Sequence, residues 1–312
     1  MTTSVDTALP SETPKVKPKK KSWVKALPLF FVLAGLLAML YPVIATVQQN
    51  KAQVSNAHVY SQQTSSTSPE ERAAAIAAAH QWNLDNQGAP ILDPWLARIT
   101  SDNEDYRSYL EKLNLTDAMA RVVIPKIKSD LPIYHGTTEE ILQKGIGHLY
   151  GSSLPVGGEG THAILTGHTG LAVATLWDNL TELQLNDPIY IEVAGEKLKY
   201  AVSDIRVVLP SETSELKPEI GKDQVTLITC TPYAVNSHRL LITGDRVPMD
   251  VADEEVFSKI YHPWQWWMTV VLVVAGIIIA LLLLAVLRWL LANKKKKQQE
   301  ENMITDQDSR RV

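Results

Sequence analysis

The chain is 312 residues long, with 45% hydrophobic content, 21% charged residues and a formal net charge of -4. That is enough apolar mass for a core even after two membrane-length segments are set aside, and a single cysteine, Cys230, excludes an internal disulfide. The charge pattern lends little support to nucleic-acid binding, because lysines crowd the two ends of the chain, each cluster beside a long apolar run.

Residues 1–25 are rich in Pro, Lys, Ser and Thr, lack the apolar residues needed to fold, and read as a cytoplasmic tail. Residues 26–47 carry no charge and reach the ~20 apolar residues that cross a bilayer, with Pro28 and Pro42 near the ends. A cleaved signal peptide is the competing reading, with a weak cleavage site at residues 45–47. The length of the run favours an uncleaved anchor. Ser68, Pro69, Glu70 and Glu71 then spell a helix start that residues 73–80 continue and residues 86–90 break. Leu92, Asp93, Pro94 and Trp95 read, on their own, as an ordinary Asp-Pro turn carrying an aromatic. Residues 101–113 predict a second helix with Tyr106, Tyr109, Leu110 and Leu113 on one face.

From Arg121 the pattern changes to short strands, at residues 121–127, 131–134, 162–166, 188–193, 197–208, 225–229 and 239–243. Turn signals at Pro125, Pro132, Gly157, Gly158, Asn186, Asp187, Ala194 and Gly195 separate them. A short helix is expected at residues 138–144 and another at 175–183. Many short strands with few helices predict a mostly β fold, a closed or nearly closed barrel. His148, His162 and His168 lack the spacing of a metal site. The second apolar run, residues 266–287, follows a tryptophan cluster and ends at Arg288 and Lys294 to Lys297. The positive-inside rule then puts both termini in the cytoplasm and residues 48–262 outside the membrane. The expected organisation is a tail (1–25), a transmembrane helix (26–47), a helical region (48–118), a catalytic barrel (119–250), a juxtamembrane linker (251–265), a second transmembrane helix (266–290) and a basic tail (291–312).

The chemistry concentrates at residues 226–241. Cys230 ends one apolar run, a Thr-Pro step follows it, and Arg239 opens the next run. A lone cysteine is most often a small buried hydrophobe. A strand end, a nearby cation that favours the thiolate, and a distant histidine at His168 argue instead for a nucleophile. His238 competes for the histidine role. On an extended segment, however, it and Arg239 point to opposite faces.

Four blocks carry a family resemblance: residues 124–137, 147–158, 165–168 and 226–241. In them the chain resembles the sortases, and specifically the class C, pilus-assembling sortases of Gram-positive bacteria. The resemblance implies an eight-stranded sortase β-barrel with an N-terminal helical lid region, flanked by two transmembrane helices. It implies that Cys230 is the nucleophile, His168 its acid/base partner and Arg239 the oxyanion or substrate-positioning group. It further implies that Asp93, Pro94 and Trp95 form a lid, and it makes Thr229, Thr231 and Asn236 substrate-groove candidates. No cofactor is implied. The implied partners are pilin subunits bearing an LPXTG-like sorting signal and an acceptor lysine. Thr169 departs from the family, where many relatives have arginine, as do Ala234 and Ser237 in the loop after the cysteine. Two alternatives stay open: a housekeeping-type sortase that attaches proteins to the cell wall, and a surface-anchored binding or scaffold module with an inert cysteine.

Overall fold

The computed structural model describes residues 27–86, 103–212 and 216–310; the amino-terminal tail and the Asp93-Pro94-Trp95 segment lie outside them. Eight strands form the barrel: β1 (Ala120–Ile124), β2 (Ser129–His135), β3 (Ile146–His148), β4 (Thr161–Thr166), β5 (Pro188–Val193), β6 (Glu196–Val208), β7 (Asp223–Thr231) and β8 (His238–Val247). The order around the closed barrel is β1-β2-β3-β4-β7-β8-β6-β5. Two neighbouring pairs are parallel, β2–β3 and β4–β7, and the rest are antiparallel.

Side-chain alternation sorts the residues onto two faces. Leu165, Val225, Leu227, Leu240 and Ile242 point into the barrel with Val122, Ile133 and Ile191. Their sequence neighbours Ile164, Ile228 and Leu241 point outward, where Leu149 and Leu216 cover them. Leu216 belongs to the β6–β7 connection, so that connection lies over the outer face of β4, β7 and β8. His162 fastens it there: its Nδ1–H donates to the Lys217 carbonyl at 3.2 Å, and Nε2 sits 2.6 Å from the Thr226 hydroxyl.

The first long helix, α1 (Leu27–Ser66), has two halves. Its opening turns expose Leu29, Phe30, Phe31, Leu37 and Tyr41, whereas Val43, Thr46, Asn50, Val54, Ala57, Tyr60 and Thr64 recur at helical spacing and are buried. The helix therefore continues well past the apolar run and docks on the barrel, where the Tyr60 hydroxyl donates to the Met119 carbonyl and accepts from the Ala194 N–H. Next come α2 (Pro69–Asp85), capped by Ser68 and Glu71 as the sequence predicts, and α3 (Glu104–Leu110). Tyr109 of α3 lies 2.9 Å from His148 Nδ1, while His148 Nε2–H donates to the Ser153 carbonyl. Burial pushes the His148 pKa down to about 4, which keeps the ring neutral. After β2 comes α4 (Glu139–Lys144), and the chain ends in α5 (Val251–Glu254), a 3₁₀ turn at Glu255–Ser258, and α6 (Trp266–Ser309). Both α1 and α6 are long and apolar enough to cross a membrane.

Three expectations change. The strand expected at residues 121–127 stops at Ile124, because Pro125 has no N–H to give a ladder and opens a 3₁₀ turn, Pro125–Ile127. The helix expected at 175–183 is only a 3₁₀ turn at Asp178–Glu182. Strand β3 was not anticipated, since three residues after a helix carry no readable alternation.

One buried cation joins the helices to the barrel. Arg121, 1% exposed, donates through Nε and Nη2 to both oxygens of Asp130 at 2.7 and 2.8 Å. Its Nη1 reaches Ser61 of α1 at 2.9 Å and the Phe257 carbonyl at 3.1 Å. Removing one partner of a buried pair strands the other charge, a cost of about 3–5 kcal/mol, whereas replacing both by apolar groups is often nearly neutral. Nη1 also lies 3.4 Å from Glu192 Oε2, so in chemical denaturation of the full chain in detergent Arg121→Ala should lose about 3–5 kcal/mol, and the triple variant Arg121→Met, Asp130→Leu and Glu192→Leu should lose much less. Equal losses would show that the pair is not what the junction depends on.

Candidate active site

Strand register assembles the site. β7 and β8 run antiparallel with Cys230 directly opposite Arg239. Directly opposed residues share a face, and Cys230 lies two positions beyond Ile228 and Arg239 two before Leu241, so thiol and guanidinium both occupy the outer face. Each residue is 8% exposed. The parallel pairing of β4 with β7 matches Thr166 to Ile228. His168 follows that pair by two residues, just past the end of β4, as Cys230 does within β7.

The turn that carries His168 is held from several sides. The Gly167 N–H donates to the Ile228 carbonyl at 3.0 Å, and the Thr229 hydroxyl donates to the Gly167 carbonyl at 2.7 Å. Gly167 is obligatory for packing: a Cβ there would lie 2.7 Å from Ile146 Cδ1 and 2.8 Å from the Trp177 ring. The Trp177 N–H donates to the His168 carbonyl at 3.2 Å. Asp178 accepts from the Gly170 N–H at 2.6 Å and from the Thr169 hydroxyl at 3.0 Å. From below, Asn50 of α1 accepts from the Thr175 N–H at 3.0 Å and donates to the Thr175 hydroxyl at 2.9 Å. Gln265, just before α6, donates to Asn179 at 2.8 Å. Both long helices thus grip the segment that follows the histidine.

The substrate-groove candidates take different positions. Thr229 is 1% exposed and lies on the face opposite Cys230, where it supports the histidine turn. Thr231 is half-buried at the end of β7, level with His238. Asn236 is exposed and presents its carbonyl to Arg239 Nη1 at 3.3 Å. His238 bonds to its neighbour Ser237 at 2.9 Å. It pairs with Thr231, one position off the thiol's face. Sequence reasoning missed Glu139, whose Oε2 lies 3.2 Å from His168 Nε2, along with Asn50, Gly167 and Asp178. In sequence Glu139 is only an acidic residue at a helix start, and nothing there points across the 29 residues to His168.

Similarity to known proteins leads to the same place. A model of the sortase domain matches residues 122–247. The chain is 54% identical to the solved structure of sortase C-1 from Actinomyces oris (TM-score 0.57), covering 58% of this chain and 100% of that one. It is 50% identical to sortase A from Corynebacterium diphtheriae (TM-score 0.59; 67% of this chain, 97% of that one), a protein also solved as a lid mutant. It is 40% identical to sortase C1 of GBS pilus island 1 (TM-score 0.58; 64% of this chain, 94% of that one). The chain belongs to the sortase family. Its match spans about 60% of the length of the first three curated sortases it resembles.

Asp178 gives the histidine segment a pH signature. Burial pushes its carboxyl up to about 6, with the Gly170 N–H and the Thr169 hydroxyl pulling the other way. A carboxyl raised in the folded state stabilises most when protonated. Its contribution is complete below about pH 4 and declines as pH rises through about 6, by at most about 3 kcal/mol. Asp178→Asn keeps an oxygen acceptor without the charge. Its melting temperature should therefore fall less than that of the wild type between about pH 4 and pH 7, and parallel pH profiles would refute the assignment.

Proposed function

We propose that this chain is a membrane-anchored, class C cysteine transpeptidase that cleaves an LPXTG-like sorting signal between Thr and Gly and joins the pilin to a lysine of the next subunit. The observation that carries the reading is the register: Cys230 opposite Arg239 on β7 and β8, with His168 two residues past the Thr166–Ile228 pair that ends the β4–β7 ladder. The pilus assignment draws on similarity to the pilus-island sortase C1 and to sortase C-1. Membrane anchoring draws on α1 and α6, and the outer placement of residues 48–262 on the lysines that flank the two apolar runs.

The chemistry follows from the three groups. The Cys230 Sγ attacks the threonine carbonyl carbon, and its proton passes to His168. The tetrahedral oxyanion faces the Arg239 guanidinium, and losing one such donor costs ~2.7–4 kcal/mol. The C–N bond to glycine breaks as His168 returns the proton to the leaving amine, a transfer worth ~10²–10⁴-fold. A thioester remains. A lysine amine then attacks it, loses a proton to His168, and the thiol of Cys230 is restored. Water in place of the amine gives hydrolysis. In this reading Asp93, Pro94 and Trp95 form the lid, Trp95 covering the thiol and Asp93 engaging Arg239.

The test is intact mass of the full chain in detergent, with Asp93 and Trp95 changed to Ala, after incubation with an LPXTG-type peptide. A gain equal to the peptide's acyl portion is expected, lost with Cys230→Ala and reduced ~10²–10³-fold in rate with Arg239→Ala. An adduct that survives Cys230→Ala would sink the nucleophile assignment. Alkylation of Cys230 at the same rate with and without the two lid substitutions would sink the lid.

A further inference from the structure

Glu139 lies on a different element from the three groups just described, yet its carboxylate reaches one of them. Its Oε2 is 3.2 Å from His168 Nε2, and its Oε1 accepts from Gln143 Nε2 one helical turn later at 3.0 Å. Both carboxylate oxygens therefore have defined partners, which fixes the carboxylate plane. Its backbone is fixed as well: Glu139 opens α4, which Thr138 caps by accepting from the Ile141 N–H. The two partners differ in exposure. The His168 side chain is 13% exposed and that of Glu139 is 64% exposed, so the pair sits at the mouth of the site with the imidazole on the inner side.

We infer that Glu139 is a positioning residue for His168, a deduction that rests on the transpeptidase reading above. A carboxylate accepts only, so the contact requires a proton on Nε2. That proton assignment leaves Nδ1 as the nitrogen that exchanges a proton with the thiol and with the leaving amine. When both nitrogens are protonated, the carboxylate opposes the positive charge that develops on the ring, the service a third group performs for an imidazole in other nucleophile–base pairs. Exposure limits its size. Exposed ion pairs contribute about 0.2–1 kcal/mol, which corresponds to at most about fivefold in rate. The effect is also open to screening by salt, because the carboxylate faces solvent.

The experiment uses the full chain in detergent, with histidines labelled with ¹⁵N and His168→Gln as the assignment control. The wild type should show a downfield imidazole N–H resonance that His168→Gln removes. Glu139→Ala should remove it too, and should lower kcat by up to about fivefold with KM unchanged. At about 1 M salt the wild-type advantage in kcat should shrink towards one, whereas a merely structural role for Glu139 would leave the ratio constant. A resonance that persists in Glu139→Ala, or one absent from the wild type, overturns the inference whatever the activity. A chain with Asp93 and Trp95 changed to Ala that shows the resonance but forms no acyl adduct on Cys230 overturns the transpeptidase reading instead, and leaves the pair as a structural contact.

Discussion

The parallel ladder between β4 and β7 is the constraint on which the site depends. The two strands are joined through two other strands and their loops, and the Thr229 hydroxyl reaches back 62 residues to the Gly167 carbonyl. Parallel neighbours cannot be linked by a tight turn, so the chain must build β5 and β6 on the far side of the barrel before β7 can return beside β4. Once it does, the pairing of Thr166 with Ile228 sets the height of His168 against Cys230. A slip of one residue would turn Cys230 inward and send Leu227 out, and the loss of Leu227 from the core makes that slip costly.

The supports around the histidine fall into two groups. One is internal to the barrel: Gly167 leaves room for Ile146 and the Trp177 ring, and Asp178 ties off Thr169 and Gly170. The other comes from the long helices. Asn50 and Gln265 hold Thr175 and Asn179, and Arg121 links Ser61 of α1 to the Phe257 carbonyl through a fully buried charge. Buried polar groups of this kind are costly unless satisfied, and each of these is matched atom to atom. The helices therefore do more than extend from the barrel, since their inner ends form part of the frame behind the catalytic-type histidine.

The outer face of the barrel explains how a cysteine can be 8% exposed and still belong to a site. Ile164, Ile228 and Leu241 continue along the chain towards His168, Cys230 and Arg239, so one face is apolar at one end and carries the candidate site residues at the other. Leu216 and His162 close the apolar end with the β6–β7 connection. At the other end Cys230 stands directly opposite a permanent cation, Arg239, across the β7–β8 ladder, and a neighbouring cation favours the thiolate.

Local physics made much of this legible in the residues themselves. Uncharged runs of membrane length, a capped helix start at Ser68, alternating strands such as β5, and the pairing of a strand-end Cys230 with Arg239 across a short loop all depend on neighbours a few residues apart. The continuation of α1 to Ser66 was not anticipated, since the apolar run that marked the helix ends near residue 47. Other features depend on residues far apart in sequence, and only the tertiary structure decided them. They include the order of the strands around the barrel, the three-residue β3, the Arg121–Asp130 junction with α1 and the approach of Glu139 to His168. No periodicity records such contacts, because each is set by strand register and by the packing of elements brought together from separate parts of the chain.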